Sequence, residues 1–152
     1  MTTKDARAFV DTNVLLRAMM PQMALHKQAE ALVQKMWTDD VELWISRQVV
    51  REYLVQATHP NTFTPPLTIE QVLEQLETIQ SLFRVADETR AVTAQLLTLL
   101  KTYPTRGKQV HDANIVATML VYNINTLLTI NVDDMKRFAD KIKLIPLLNT
   151  VK

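Results

Sequence analysis

The sequence predicts an α/β domain whose central, mainly parallel sheet is covered by helices on both faces. Short apolar segments alternate with longer amphipathic ones along most of the 152 residues. Such alternation is typical of parallel sheets, because each crossover between parallel strands needs room for a helix. Hydrophobic residues make up 47% of the chain and charged residues 22%, as in ordinary globular domains. We therefore expect a single domain over residues 1–152 with a core of its own.

The first predicted elements are a strand and two helices. Three apolar residues and an aspartate predict a short buried strand over 8–11. A helix follows over 12–20 and ends there, because Pro21 cannot continue it. In residues 24–37 apolar side chains recur at helical spacing, which predicts a second helix.

The middle of the chain continues the alternation. It predicts, in order, a strand over 42–45, a helix over 46–57, a loop over 58–66 and a helix over 68–83. Ser46 is the expected N-cap of the first of these helices. Thr68 and Gln71 have the spacing of a capping box, which marks the start of the second.

The C-terminal half has the same organisation. Its predicted elements are a strand over 84–86, a helix over 88–103, a polar loop over 104–108, a helix over 110–122, a strand over 126–130, a short helix over 133–139 and a strand over 143–147. Asp87 is the expected N-cap of the helix at 88–103, because its side chain can accept from free backbone N–H groups.

Composition excludes several classes of function. A single glycine, Gly107, excludes glycine-rich phosphate loops and dinucleotide-binding fingerprints, which need several glycines close together. The absence of cysteine excludes disulfides and thiolate metal sites. With a net charge of +1, any binding of nucleic acid must use a local patch. No signal-peptide core and no apolar run of membrane-spanning length is present, so we expect a cytoplasmic protein without membrane contact.

Polar side chains follow two of the predicted strands, at the sheet edge where sites of parallel α/β proteins lie. Asp11 ends the first strand in the stretch FVDTNVLL, and Asn131, Asp133 and Asp134 follow the strand at 126–130. These residues also have an ordinary interpretation, because Asp and Asn are favoured at helix N-termini. Position alone leaves capping and function both open.

Two further acids lie in largely apolar helices, Glu52 in SRQVVREYL and Asp112 in VHDANIVATML. Their ordinary interpretations are a solvated helix face and a favourable charge in a first helical turn. Carboxylates gathered in one crevice repel one another, so a protein keeps such a cluster mainly when a cation fills it. Oxygen ligands without cysteine favour Mg²⁺ or Mn²⁺ over Zn²⁺, and the matching chemistry is metal-assisted hydrolysis of phosphodiesters.

Taken together, these motifs resemble those of the PIN-domain ribonucleases. FVDTNVLL, Ser46 followed by Glu52, VHDANIVATM and LLTINVDDMKRF occur in the family's order and at its intervals, from Phe9 to about Leu148. The VapC toxins of toxin–antitoxin pairs are the largest group of that family at this chain length. The resemblance implies a three-layer α/β/α fold, an acidic site that binds Mg²⁺ or Mn²⁺, and RNA cleavage by a metal-activated water.

The resemblance also implies roles for individual residues. The implied metal-binding and catalytic acids are Asp11, Glu52, Asp112 and Asp134, and Asn131 completes the catalytic set. Met135 stands where the family usually has Phe, a departure expected to affect packing. The polar residues expected to orient the acids or contact substrate are Thr12, Asn13 and Thr129. The basic residues that are candidates for holding RNA are Arg47, Arg51, Arg106, Lys108 and His111, although exposed basic residues are normal on any protein surface.

The expected function is a divalent-metal-dependent endoribonuclease, the toxin of a type II toxin–antitoxin pair. Its expected partners are RNA, a cognate antitoxin and a second copy of the chain. A housekeeping PIN nuclease of RNA processing and a catalytically silent binding module stay open as alternatives. A response-regulator receiver and a D-x-D phosphatase do not fit, because Asp11 has no acidic neighbour and Asn13 replaces the second aspartate.

Overall fold

The computed structural model describes residues 6–147 and is built on a five-stranded sheet with the strand order β3-β2-β1-β4-β5. The strands are β1 (Arg7–Val10), β2 (Glu42–Ser46), β3 (Arg84–Ala86), β4 (Thr126–Thr129) and β5 (Lys143–Pro146). Each neighbouring pair is parallel. The predicted parallel sheet is therefore confirmed, while Leu148, the last residue of the motif region, lies outside the described residues.

Helices complete a three-layer α/β/α arrangement, as predicted. They are α1 (Thr12–Met19), α2 (His26–Thr38), α3 (Arg47–Thr58), α4 (Ile69–Leu82), α5 (Arg90–Thr102), α6 (Gln109–Val121) and α7 (Val132–Met135), which continues into a 3-10 turn over Lys136–Phe138. Within residues 6–147 no helix is both long and apolar enough to cross a membrane.

Of the helix caps predicted at Ser46, at the Thr68–Gln71 pair and at Asp87, the first two form. The Ser46 hydroxyl accepts from the Val49 N–H at 3.3 Å, and Thr68 and Gln71 form the predicted capping box. The predicted cap at Asp87 is wrong. Thr89 is the residue at the N-cap position of α5, and Asp87 instead accepts from the Arg47 guanidinium at 2.9 Å. Because α5 begins at Arg90, Asp87 lies too far from its first turn to cap it.

The central strand, β1, and its neighbour β4 are buried in the core and end side by side. Phe9 pairs with Leu127 and Val10 with Leu128, and these side chains are fully buried. The N–H of Asp11 donates to the Leu128 carbonyl at 3.0 Å, one step beyond the ladder. This register places Asp11 beside the end of β4 at the carboxyl edge of the sheet, where α1 begins immediately.

Candidate active site

Asp11 lies at the junction of β1 and α1 and is only 4% exposed. Its Oδ1 accepts from the Thr12 N–H at 2.8 Å, which is the N-cap bond of α1. Its Oδ2 accepts from the Thr129 hydroxyl, also at 2.8 Å. Both oxygens are thus oriented by hydrogen bonds, and the capping interpretation of this residue is confirmed.

Glu52 approaches Asp11 from α3. Its Oε1 accepts from the Thr12 hydroxyl at 3.1 Å, and the side chain is half-buried. Glu52 is therefore not a fully solvated side chain of the helix face. Thr12 links the two acids, because its N–H bonds one carboxylate and its hydroxyl the other.

A cavity of about 300 Å³ opens between β1, α3 and α6 at this edge of the sheet. Of the residues predicted to form the site, those that line it are Asp11, Thr12, Asn13, Glu52, Asp112 and Asn131. Thr129 lies behind Asp11 and contacts it without lining the cavity. Residues from four separate parts of the chain thus meet at one place, as the motif spacing predicts.

The acids in and beside this cavity perturb one another. Burial raises the pKa of Asp11 to about 6, against the opposing hydrogen bonds from Thr129 and Thr12, and the charge of Glu52 adds to the rise. Burial also raises the pKa of Asp112 to about 6. The charges of Asp11, Asp134 and Glu52 push in the same direction, while Arg137 lowers it. Asp134 is exposed and does not line the cavity, yet its charge acts on Asp112.

The donor set fits a hard cation that needs few protein ligands. No group of three carboxylate or imidazole side chains within residues 6–147 encloses a metal position as the side chains lie. Asp11 and Asp112 face a shared cavity, however, where burial and, to a lesser extent, the charges of neighbouring acids raise their pKa values. Mg²⁺ keeps several waters and takes only one or two carboxylates, so oxygen donors around an open cavity suit it.

The sequence profile of the PIN domain matches residues 8–141. The chain belongs to the PIN domain family. No protein of curated function matches it significantly by sequence.

Solved structures share this PIN fold over nearly the whole chain. VapBC2 from Rickettsia felis, bound to a DNA fragment from its promoter, has a TM-score of 0.63 and 19% identity, covering 92% of this chain and 98% of that one. VapC20 from Mycobacterium tuberculosis, a toxin that cleaves the sarcin-ricin loop, has a TM-score of 0.65 and 18% identity, covering 91% and 99%. VapBC-1 from nontypeable Haemophilus influenzae has a TM-score of 0.65 and 18% identity, covering 93% and 98%. At these identities the likeness shows a common fold.

The basic residues predicted to hold RNA are all outside the cavity of this PIN domain except Arg51. Arg47 pairs with Asp87 at 2.9 Å, and Arg51 pairs with Glu88 at 3.3 Å. Arg106, Lys108 and His111 are exposed near the start of α6. The remaining acid, Asp133, pairs with Lys136 at 3.4 Å on the surface.

One buried residue of this PIN domain is missing from the prediction. Gln48 lies one turn before Glu52 on α3 and is 4% exposed. Its Nε2 donates to the His111 carbonyl at 2.9 Å and approaches Glu52 Oε1 at 3.4 Å. Its Oε1 accepts from the Asn114 amide at 2.8 Å. Gln48 thus joins the helix that carries Glu52 to the helix that carries Asp112, and its signal in the sequence is its position one turn from an acid.

Proposed function

We propose that this PIN domain is a divalent-metal-dependent endoribonuclease and the toxin of a type II toxin–antitoxin pair. The observation that carries the proposal is the meeting of Asp11, Glu52 and Asp112 around one cavity at the carboxyl edge of the sheet. Acids in a cleft with pKa values raised as those of Asp11 and Asp112 are raised are typical of functional sites. Here the perturbation arises from burial and from neighbouring acids, which is the environment that a bound cation relieves.

The residues that would hold Mg²⁺ or Mn²⁺ are Asp11, Glu52, Asp112 and Asp134, with Asn131 as a neutral oxygen donor. When bound, the cation would supply an activated water and neutralise charge that develops on the phosphoryl oxygens. The protein's own contribution is orientation. Thr129 and Thr12 hold both oxygens of Asp11, while Thr12 and Gln48 hold Glu52. Fixed donors around a reacting group avoid reorganisation at the moment of reaction.

The toxin assignment draws on the structural relatives. Two of them are VapBC toxin–antitoxin complexes, and a third, VapC20, is a toxin that cleaves an RNA loop. We extend to this chain an RNA substrate, a protein antitoxin, a homodimer and a cytoplasmic site of action. A housekeeping nuclease would have the same site, so a small reading frame directly upstream whose product inhibits cleavage distinguishes the toxin.

Incubation of the purified protein with total RNA tests the activity. Cleavage should require Mg²⁺ or Mn²⁺ and stop in EDTA, and mapping of the new 5′ ends should give defined positions. RNA that stays intact with both metals, under conditions in which the protein is folded, contradicts the proposal.

Two substitutions test the site. Asp11→Asn and Asp112→Asn should each abolish metal-dependent cleavage while the far-ultraviolet circular dichroism stays native, because each removes a ligand charge. Asp39→Asn is the matched control, since Asp39 is an exposed acid at the end of α2 that pairs with Lys35. Full activity in either folded site variant would refute the assignment.

A further inference from the structure

The charges that flank the candidate active site are distributed unequally. On the α3 side, the two arginines are already neutralised, Arg47 by Asp87 and Arg51 by Glu88. On the side of α6 and α7 lie Arg106, Lys108 and Arg137, and none of the ion pairs within 4.0 Å among residues 6–147 involves them. The free positive charge around the cleft is therefore on one side.

Two of these free cations, Arg106 and Arg137, border a second cavity, of about 530 Å³. Its lining consists of Pro104, Arg106, Gln109, Asp133, Lys136 and Arg137. Asp133 and Lys136 pair at 3.4 Å, so they offset each other. The uncompensated charge of the cavity comes from its two arginines, Arg106 and Arg137.

Arg137 is held in place before any ligand arrives. Its Nη1 donates to the Pro104 carbonyl at 2.6 Å and to Gln109 Oε1 at 3.1 Å. The same Oε1 accepts from the Arg106 N–H at 3.0 Å, which ties the loop before α6 to this guanidinium. Nε and Nη2 of Arg137 have no acceptor within the described residues, so the edge that suits bidentate oxygen recognition is free.

The second cavity lies beside the first. Gln109, which holds Arg137, is in the same first turn of α6 as Asp112, and Arg137 acts electrostatically on Asp112. An anionic strand that crosses the acidic cavity therefore reaches Arg137 directly on one side. On the opposite side it meets arginines whose charge acids already neutralise.

We propose that this second cavity binds an RNA phosphate next to the scissile one, so that the strand leaves the active site over α6 and α7. The inference rests on the proposed ribonuclease function and adds the side of the active site, that of α6 and α7, over which the RNA strand passes. An acidic protein segment is the other anionic ligand that could fill the cavity. RNA is favoured because the adjoining cavity is the one proposed to hold the scissile phosphate, whereas nothing draws an acidic segment toward the carboxylates there.

The test uses a fluorogenic single-stranded RNA that spans a mapped cleavage position, with kcat and KM measured in Mn²⁺ over a salt series. The variants are Arg106→Gln, Arg137→Gln, Arg137→Lys, the double glutamine variant of Arg106 and Arg137 and, on the α3 side, Arg47→Gln. Each is also assayed with polyglutamate as a competing acidic polymer. Arg106→Gln changes a side chain with no hydrogen bond of its own among the described residues, so it tests the phosphate contact without loosening the loop. Arg84→Gln is the control, because Arg84 pairs with Glu42 at the amino edge of the sheet.

We expect Arg106→Gln to raise KM with kcat little changed, the pattern of lost ground-state binding. Arg137→Gln should raise KM as well, and because Arg137 acts electrostatically on Asp112 its salt slope rather than its kcat reports the phosphate contact. The slope of log(kcat/KM) against log salt should flatten by roughly 0.7 for each lost phosphate contact, the value for single strands. Arg137→Lys should restore the slope more than the affinity, because it keeps the charge and loses the planar fork. Arg84→Gln should match the wild type.

Three outcomes overturn the inference. One is a double variant with the wild-type slope and KM. Another is an equal flattening in Arg47→Gln, which would place the strand on the α3 side. In the third, polyglutamate inhibits the wild type but no longer inhibits the double variant, while the double variant cleaves RNA with wild-type kinetics. That result would assign the cavity to an acidic protein segment. If the wild type itself fails to cleave RNA, the proposed function is contradicted and this inference with it. Cleavage with unchanged slopes contradicts the inference alone.

Discussion

Asp11 serves the fold and the candidate site with the same carboxylate. Its Oδ1 caps α1 and its Oδ2 accepts from Thr129, and both bonds stabilise the charged form. Burial nevertheless raises its pKa to about 6, so desolvation outweighs the two hydrogen bonds. The carboxylate is therefore oriented without being neutralised, which is the state in which it gains most from a nearby cation.

The raised pKa values predict how the stability of the metal-free protein changes with pH. Asp11 and Asp112 titrate near 6 in the folded protein, against 3.8 for an ordinary aspartate. Between these values the folded state holds protons that the unfolded state has released, so this contribution to the free energy of unfolding rises as pH falls through 6. For the pair, with the half-buried Asp112 discounted for solvent screening, we expect about 1–3 kcal/mol.

Urea unfolding in EDTA at about pH 7.5 and pH 5 measures this contribution, with Asp112→Asn as the comparison. Other carboxylates change the absolute stability of both proteins alike, so the informative quantity is the difference between them. The variant should be as stable as the wild type or more stable at the higher pH and lose that advantage at the lower pH. A variant that is less stable at both values would show that Asp112 only complements the dipole of α6.

At the scale of elements, the Gln48 side chain links α3 to α6 by hydrogen bonds beside the candidate site. It bonds the His111 carbonyl and the Asn114 amide, which belong to the helix of Asp112. It also approaches Glu52, which belongs to its own helix. The neutral, buried side chain of Gln48 thus holds the helix of Glu52 against the helix of Asp112.

Replacing Gln48 by leucine should damage both stability and activity. The change leaves the partly buried His111 carbonyl and Asn114 amide without these partners, which should lower the free energy of unfolding by about 1–3 kcal/mol. Gln80→Leu on α4 is the matched control, because Gln80 is exposed and should change stability by less than about 0.5 kcal/mol. Denaturant unfolding and the RNA cleavage rate are the measurements.

Because Asn114 is a hydrogen-bond partner of Gln48, the effects of Gln48→Leu and Asn114→Leu on the free energy of unfolding should be non-additive. Strictly additive effects would mean that the hydrogen bond between Gln48 and Asn114 does not couple α3 to α6.

The order and type of the elements were predictable because their signals are local. Ser46 and the Thr68–Gln71 pair act on backbone groups within three residues, and both caps form. The prediction of an N-cap at Asp87 was wrong, because α5 begins at Arg90. The Asp87 side chain instead pairs with Arg47, which comes from another part of the chain. The same limit applies to the site. Position alone left capping and function both open for Asp11, and Glu52 was assigned to the site only by the family resemblance, because the Thr12 hydroxyl that links the two acids acts across different elements.

For the whole molecule, strand order is the feature that local sequence does not contain. The order places β1 and β4 next to each other in the middle of the sheet, although most of the chain separates them. Their carboxyl ends lie side by side, so that the Thr129 hydroxyl donates to Asp11 and Asn131 lines the cavity. Sites at the carboxyl ends of parallel strands arise in this way, from topology rather than from neighbouring residues in the sequence.

The last prediction concerns the stability of the whole domain when metal is added. A cation that binds only the folded state stabilises it by mass action, by about 2.7 kcal/mol at a hundred times its Kd. For a domain of this size, such a change should raise Tm by roughly 5–10 °C. Thermal melts in EDTA and in millimolar Mn²⁺ should show this rise for the wild type, and Asp112→Asn should lose most of it. Asp39→Asn should keep it, because that acid lies at the end of α2, away from the residues that line the cavity. Equal melting temperatures of the wild type with and without Mn²⁺ would show that these acids do not bind the cation, whatever the protein does to RNA.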